Sequence, residues 1–242
     1  ALRLFRSVHR EEWFTPAGPI AVRYHDTGHL LGSSMIAVEI RQGDRPLRIV
    51  FSGDVGRYGA PLYHDPEPPP DCDYLICEST YGDREHGDQS ILDQLCDVVQ
   101  GAIRRGGVMV TASFAVGRAQ QLIYLLRVLE KAGRIPQIPI YLDSPMAASA
   151  TLIFNKYHDE HDMSEDRSIS AEDALKAPNV HVVRDVRASK RINSVQGPAV
   201  IIASEYLKPS TVPVVRPTTP CRFGPCPDAL AGSIVWHTAH FL

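Results

Sequence analysis

The 242-residue sequence lacks the features that mark several classes of protein. It has no apolar run near the ~18 residues that a membrane-spanning helix needs, and its first residues, ALRLFRSVHREEWF, carry charges where a signal peptide is apolar. Its five cysteines are an odd number without the spacing of a disulfide framework, which fits a reducing compartment. The sequence therefore predicts a cytoplasmic protein that does not bind membranes.

The chain also lacks an excess of positive charge. Its formal net charge is −3, so no basic field over the whole molecule attracts nucleic acid. If RNA or DNA is the substrate, local arginines must hold it. The length permits one large or two small domains, each with a substantial core.

The hydrophobic pattern changes partway along the chain. Segments 20–28, 34–40, 47–54 and 73–80 have the alternation or the short apolar runs of strands, which predicts a meander of antiparallel strands. From residue 91 onward, apolar stripes with helical spacing alternate with short apolar strands. That alternation predicts βαβ units and a mainly parallel sheet, so the fold class is α/β.

These patterns divide the chain into domains 1–86 and 87–204 and a tail, 205–242. The tail holds six of the 19 prolines and has neither helical nor strand periodicity. We expect this tail to be disordered or the product of a frame-shifted or truncated gene. Cysteines and histidines do occur in it, but their spacing misses the usual windows of a zinc finger.

Three strands of the first domain each end in a turn that presents a chemically useful side chain. His29 follows the strand that begins at residue 20, Asp54 follows IVF, and Glu78 follows YLIC. Each of these residues alone is most simply a turn former or a charge at a strand end. Three in succession favour a site, because a meander can bring its strand ends to one edge.

Five motifs make the sequence similar to a known family. GHLLGSS, FSGDVGR, ESTYGDR, TASFAVGRAQ and YLDSPMA occur in that order within residues 10–204. The chain thereby resembles the β-CASP branch of the metallo-β-lactamase superfamily, which includes ribonuclease J and the pre-mRNA 3′-end cleavage nucleases. The resemblance implies part of a metallo-β-lactamase αββα sandwich over residues 1–86, followed by a β-CASP lobe over residues 87–204.

The resemblance also implies an activity and the residues that carry it. It implies a zinc-dependent hydrolase that cleaves phosphodiester bonds of RNA by attack of a metal-bound hydroxide. His29 would be a zinc ligand, and Asp54 the carboxylate that bridges two zinc ions and takes part in catalysis. Glu78, also a catalytic residue, would be the acidic residue that opens the β-CASP insert and orients a catalytic histidine. A bridging carboxylate suits two closely spaced dications, and a zinc-bound imidazole needs an acceptor such as Asp26 or a carbonyl for its other nitrogen.

In the second domain, two helix starts are candidates for binding RNA phosphates. Arg118 lies in the first turn of a helix that follows a strand, and Ser144 precedes Pro145 as the cap of another. Helix N-termini at the carboxyl ends of parallel strands bind anions through free N–H groups. A good helix start explains Ser144 equally well, and the family resemblance favours the binding role for single-stranded RNA.

The sequence departs from the family pattern at both ends. The His-x-His-x-Asp-His motif that supplies most of the metal ligands is absent, and no glycine-rich loop or histidine motif follows VIIAS. His29 and Asp54 alone are too few ligands for two zinc ions. Two alternatives therefore stay open: a non-catalytic relative that binds RNA or a partner protein, and a metallo-hydrolase that acts on small esters. Exposed apolar strand faces also make a homodimer a partner to expect.

Overall fold

The computed structural model forms two compact units, which are Ala1–Gly87 with Asp159–Asp162, and Asp88–His158 with Met163–Leu242. It describes residues 2–41, 43–60, 62–83, 90–157, 160–161 and 175–204. The tail predicted over residues 205–242 lies outside the described residues, and so do the cysteines and histidines in it.

The first unit contains a five-stranded sheet, sheet A, in the order β1-β2-β3-β4-β5. Its strands are Phe14–Ala17 (β1), Ile20–Asp26 (β2), Ser34–Ile40 (β3), Leu47–Phe51 (β4) and Tyr74–Ile76 (β5). Met35, Ala37 and Val50 form a buried cluster against which Cys72 packs. One face of β3 and β4 is therefore the core of this unit, as their alternating pattern predicts.

The predicted antiparallel meander is right for β2, β3 and β4 and wrong for β5, and β1 adds a fifth strand that was not predicted. β1 to β4 pair antiparallel with their neighbours, whereas β5 pairs parallel with β4, and Phe51 lies opposite Ile76. The long connection between β4 and β5 makes this possible, since a parallel pair needs a dozen or more residues to return to the same end. As a result, β2, β4 and β5 all point the same way.

The second unit contains a parallel four-stranded sheet, sheet B, in the order β6-β9-β7-β8. Its strands are Val108–Ser113 (β6), Ile140–Asp143 (β7), Val180–Val183 (β8) and Ala199–Ser204 (β9), and its helices are Ile91–Arg104 (α1), Arg118–Lys131 (α2), Pro145–Lys156 (α3) and Val186–Ile192 (α4). The predicted parallel α/β lobe is confirmed, because strands alternate with helices through this unit. The sequence did not predict α4 or β1, which are short.

Side chains at the ends of the helices explain where the helices begin. Ser90 accepts a hydrogen bond from the Asp93 N–H at the start of α1, and Ser144 accepts one from Ala147 at the start of α3. Each bond satisfies a backbone N–H that has no partner inside the helix. Among helices within the described ranges, none has the length and apolar character that crossing a membrane requires.

Candidate functional site

The topology of sheet A brings the three predicted side chains of the first unit to one edge. His29, Asp54 and Glu78 follow β2, β4 and β5, and these strands run in the same direction. We call this the carboxyl edge of sheet A. His29 and Asp54 are exposed there, and Glu78 is half-buried.

Hydrogen bonds join the turn that holds Asp54 to Glu78. The Val55 N–H donates to Glu78 Oε1 at 2.6 Å, and the Glu78 N–H donates to Ser52 Oγ at 3.0 Å. The Thr80 hydroxyl donates to the second carboxylate oxygen, Oε2, at 2.6 Å. Both carboxylate oxygens of Glu78 are therefore engaged, and one of them fixes the backbone immediately after Asp54.

These bonds also affect the ionisation of Glu78. The hydroxyl of Thr80, the N–H of Val55 and, to a smaller extent, the positive field of His29 hold the pKa of Glu78 below its ordinary value. Each of them stabilises the charged form, and they outweigh the cost of partial burial. Glu78 is therefore a carboxylate near neutral pH, suited to accepting hydrogen bonds or to orienting a cation.

Backbone contacts join the turn that holds His29 to the turn that holds Asp54. The Gly56 N–H donates to the carbonyl of Thr27 at 2.7 Å. A Cβ atom on Gly56 would lie only 2.0 Å from the Gly28 carbonyl oxygen, and one on Gly28 would lie 2.4 Å from the His64 carbonyl oxygen. Gly28 also has a φ of +61°, which L side chains rarely adopt. The turns of His29 and Asp54 thus approach closely because residue 56 is glycine, and Gly28 in turn allows the segment at His64 to lie against the His29 turn.

A serine hydroxyl and a carboxylate shape the turn around His29. Ser33 Oγ accepts hydrogen bonds from the N–H groups of His29 and Leu30, at 3.3 and 3.0 Å. One oxygen of Asp26 accepts from the Gly28 N–H at 2.8 Å, and the other pairs with Arg10. Asp26 therefore supports both the turn of His29 and the segment that holds Arg10.

The described residues do not fit a two-zinc centre. The described ranges contain no group of three or more His, Cys, Asp or Glu side chains placed to hold a metal ion. Zinc sites in proteins have four ligands, at least three of them usually from side chains. His29 and Asp54 supply two suitable donors, an imidazole and a carboxylate, at the carboxyl edge of sheet A.

Sheet B has its own carboxyl edge, where the two predicted helix starts lie. α2 begins after β6 and α3 begins after β7, and only β9 separates these strands. With about 4.8 Å between neighbouring strands, the carboxyl ends of β6 and β7, from which the two helices follow, are roughly 10 Å apart across the sheet. The N-termini of α2 and α3 therefore lie at the same edge of sheet B, as the alternation of strands and helices in the sequence predicts.

Arg118 and Ser144 differ in what they offer at this edge. The Arg118 guanidinium lies 5.2 Å from the ring centroid of Phe114, a cation–π contact, and it forms no ion pair with any described residue. Phe114 is itself exposed. Ser144 is buried, and its hydroxyl caps α3 through a 3.2 Å bond from the Ala147 N–H. Arg118 is available to a ligand, whereas Ser144 serves the helix.

A buried glutamine that no sequence pattern singled out holds the two helix starts together. Gln120 is completely buried, and its Oε1 accepts from the Gly117 N–H at 2.8 Å. Its Nε2 donates to the Ala147 carbonyl at 3.2 Å and to Thr151 Oγ1 at 3.0 Å. The periodicity places Gln120 in the first turn of α2, but only the packing of α2 on α3 reveals its partners.

Comparisons with known proteins define the class to which this arrangement belongs. A family model described as the Beta-Casp domain matches residues 119–206, which run from the first turn of α2 past the end of β9. The five ordered motifs extend beyond that match into the first unit. The chain belongs to the β-CASP family of the metallo-β-lactamase superfamily, a metal-dependent family.

Curated relatives share this family assignment. The chain is 30% identical over 207 residues to Ribonuclease TTHA0252 of Thermus thermophilus, which covers 84% of this chain and 46% of the relative. It is 36% identical over 148 residues to Transcription termination factor FttA of Methanosarcina mazei, over 59% of this chain and 23% of the relative. It is 34% identical over 190 residues to Endoribonuclease ysh1 of Schizosaccharomyces pombe, over 75% of this chain and 23% of the relative. The chain thus spans at most about half the length of these relatives.

Proposed function

We propose that this chain is part of a hydrolase that cleaves phosphodiester bonds of RNA. The observation that carries the proposal is the carboxyl edge of sheet A, where hydrogen bonds join the turns of His29, Asp54 and Glu78. Two of the relatives above are named as ribonucleases, which supports RNA as the substrate class. A hydrolase of small esters has less support, because such an enzyme does not need the unpaired Arg118 at the start of α2.

We assign different roles to the three residues of this edge. Asp54 and His29 are the proposed metal ligands, because both side chains are exposed and their turns are fixed by backbone contacts. Asp54 and Glu78 are the proposed catalytic residues. Glu78 acts in this proposal by holding the backbone at Val55, so that the neighbouring carboxylate keeps its position.

Zinc is the metal we propose for the family site, since imidazole and carboxylate oxygen are both zinc ligands. The described residues supply two donors and not a complete set, so we derive no chemical step through the metal. Two zinc ions for each active site remain our expectation for the family. The measurement is zinc content per chain by elemental analysis, compared with the variants His29→Ala and Asp54→Asn.

Single-stranded RNA is the proposed ligand of sheet B. Arg118 offers an unpaired guanidinium, and the exposed ring of Phe114 beside it resembles the aromatic surfaces on which unpaired bases stack. We propose that Arg118 contacts phosphate and that Ser144 contributes by holding the N-terminus of α3. Backbone N–H groups of that terminus, and not the buried hydroxyl, would face the phosphate.

Cleavage of a labelled single-stranded RNA, with and without a chelator, tests the proposed activity. We expect cleavage that Asp54→Asn abolishes. Asp44 provides the matched control, because it is also an exposed aspartate after a glycine but lies in the turn between β3 and β4, at the opposite end of the sheet. Equal cleavage by the Asp54→Asn and Asp44→Asn variants would contradict the assignment of Asp54.

A second candidate function is RNA binding without cleavage. It is favoured by the lack of a group of three metal-ligating side chains within the described ranges. A binding protein of this kind should show RNA affinity that falls with salt and that a chelator leaves unchanged. The same assay separates the two functions, because only the hydrolase yields shortened RNA.

We also propose a cytoplasmic location and self-association. Cys72, Cys77 and Cys96 are free thiols, which fits a reducing compartment. Self-association is supported by β5, an edge strand whose Tyr74, Leu75 and Ile76 are exposed. Light scattering at several protein concentrations measures the oligomeric state directly.

A further inference from the structure

The helix α4 concentrates positive charge on its exposed side. Arg187, Lys190 and Arg191 are exposed and have the spacing i, i+3, i+4, so their side chains neighbour one another on one side of the helix. The helix is fixed to sheet B from its other side. Ile192 is buried, and Ser189 Oγ donates to Asp143 Oδ2 at 2.8 Å. We call the three cations the basic face of α4.

The cations of this face have no salt-bridge partner in the described part of the chain. Two nearby carboxylates accept hydrogen bonds from other groups instead: Asp185 accepts from the Ala188 N–H at 2.8 Å, and Asp143 accepts from Ser189 Oγ. No ion pair joins the basic face to any residue within the described ranges. The face therefore stays positively charged in a chain whose formal net charge is −3.

The stability of the helix explains only part of this charge. Lys190 and Arg191 lie in the last turn, where cations interact favourably with the helix dipole. Arg187 is the second residue of the helix, where the same dipole disfavours a cation. The helix dipole therefore does not explain the positive charge of Arg187. Binding of a negatively charged ligand would explain it.

The position of α4 agrees with this reading. α4 follows β8, so it begins at the carboxyl edge of sheet B, where α2 begins after β6 and α3 begins after β7. The edge from β6 to β8 spans three strand spacings, about 14 Å. Arg118 lies towards one end of it and the basic face towards the other. A ligand that uses both must be extended and negatively charged along its length.

We propose that the basic face of α4 is a second phosphate-binding surface, which holds the backbone of the single-stranded RNA beyond the phosphates near Arg118. This inference rests on the proposed function, because that function supplies the RNA. Three cations close together match the regular charge of a nucleic-acid backbone, which does not depend on sequence. An acidic protein segment is the other occupant that the charge would allow, and the experiment distinguishes the two.

The test measures binding of a fluorescent single-stranded RNA to the whole 242-residue chain, in chelator, as a function of salt. The variant R187Q/K190Q/R191Q removes three charges from the basic face. The control variant R104Q/R105Q/K131Q removes three exposed charges of the same unit at the ends of α1 and α2, where the chain enters sheet B from the opposite edge. Each phosphate contact contributes about −0.7 to the slope of log K against log salt for single strands.

We expect the basic-face variant to have a slope shallower by about 2, and the control to match the wild type. Between 50 and 200 mM salt, wild-type affinity should then fall about 20-fold more than that of the variant. The single variant R187Q should retain its stability, because the helix dipole disfavours that charge, and should lower the slope by about 0.7. It provides the test if the triple variant does not fold.

Each outcome has a separate meaning. Equal salt slopes for the wild type and the basic-face variant would contradict the proposed phosphate-binding surface. The control variant losing as much of the slope as the basic-face variant would contradict it too. Binding of an acidic peptide but not of RNA overturns it as well. RNA binding that depends on the basic face, without any cleavage when the chelator is omitted, supports the surface and contradicts the proposed hydrolase.

Discussion

Replacement of Gln120 by leucine should destabilise the second unit more than the same replacement of Gln121, the other amide side chain of α2. The Gln120 side chain is completely buried and makes bonds to the Gly117 N–H, to the carbonyls of Ala115 and Ala147, and to the hydroxyl of Thr151. Leucine has a similar volume and makes none of them. The Gly117 N–H and the Ala115 carbonyl would then lose the bonds that Gln120 supplies, whereas Thr151 and Ala147 keep their bond to each other at 2.8 Å.

The magnitude follows from those contacts. A hydrogen bond contributes about 1 kcal/mol net, and a buried polar group left unpaired costs about 1–3 kcal/mol. We therefore expect Gln120→Leu to lower the free energy of unfolding by about 3–5 kcal/mol. That is a large share of the roughly 5–15 kcal/mol that stabilises an ordinary domain.

Urea denaturation followed by far-UV circular dichroism measures this loss. Gln137→Leu is the matched control, because Gln137 is exposed in the segment between α2 and β7, and it should change the free energy by less than about 0.5 kcal/mol. A loss below about 1 kcal/mol for Gln120→Leu, with an unchanged slope against urea, would refute the reasoning. It would mean that the helix starts are held together by apolar packing alone.

Three further results are expected. Gly56→Ala should lower the free energy of unfolding by at least about 2 kcal/mol in urea melts, because its Cβ would overlap the Gly28 carbonyl, whereas Gly107→Ala, with no atom closer than 3.9 Å, should cost less. The lowered pKa of Glu78 means that its charge stabilises the fold above its ordinary pKa of 4.5, and this contribution is lost as pH falls through the lowered value. Glu78→Gln should therefore be less stable than wild type at pH 7, with a gap that closes in acid, and a constant gap in thermal melts would contradict this. Arg118→Ala should weaken binding of single-stranded RNA and reduce the salt slope by about 0.7, and unchanged affinity would refute its role.

Much of the fold could be predicted because its elements have strong periodic signals. The stripe of α1, the cap at Ser144 and the short apolar strands of sheet B were all apparent in the sequence. β1 was missed because its four residues, FTPA, are mostly exposed and include a proline, and α4 was missed because seven residues with Ile192 as the buried one carry little helical periodicity. The direction of β5 was predicted wrongly because pairing depends on the path of the long connection before it, which no local pattern reveals.

The candidate site was predictable only in part. The strand ends identify His29, Asp54 and Glu78, since each side chain follows a clear apolar strand. The contacts that fix them, such as the Gly28–Gly56 contact and the bond from the Val55 N–H to Glu78, depend on distances between turns that are remote in sequence. Glycine in a turn signals an unusual backbone conformation, but it does not reveal which other backbone lies against it.

The order of strands in sheet B has a consequence for how the protein is made. β9 is the last strand of this sheet to leave the ribosome, yet it lies between β6 and β7 and pairs with both. Until about residue 204 has been synthesised, β6 has no partner in the sheet, and the apolar side chains of Val200 and Ile202 that complete the core are absent. We therefore expect a chain that stalls before this point to expose the unpaired edges of β6 and β7, which favours aggregation.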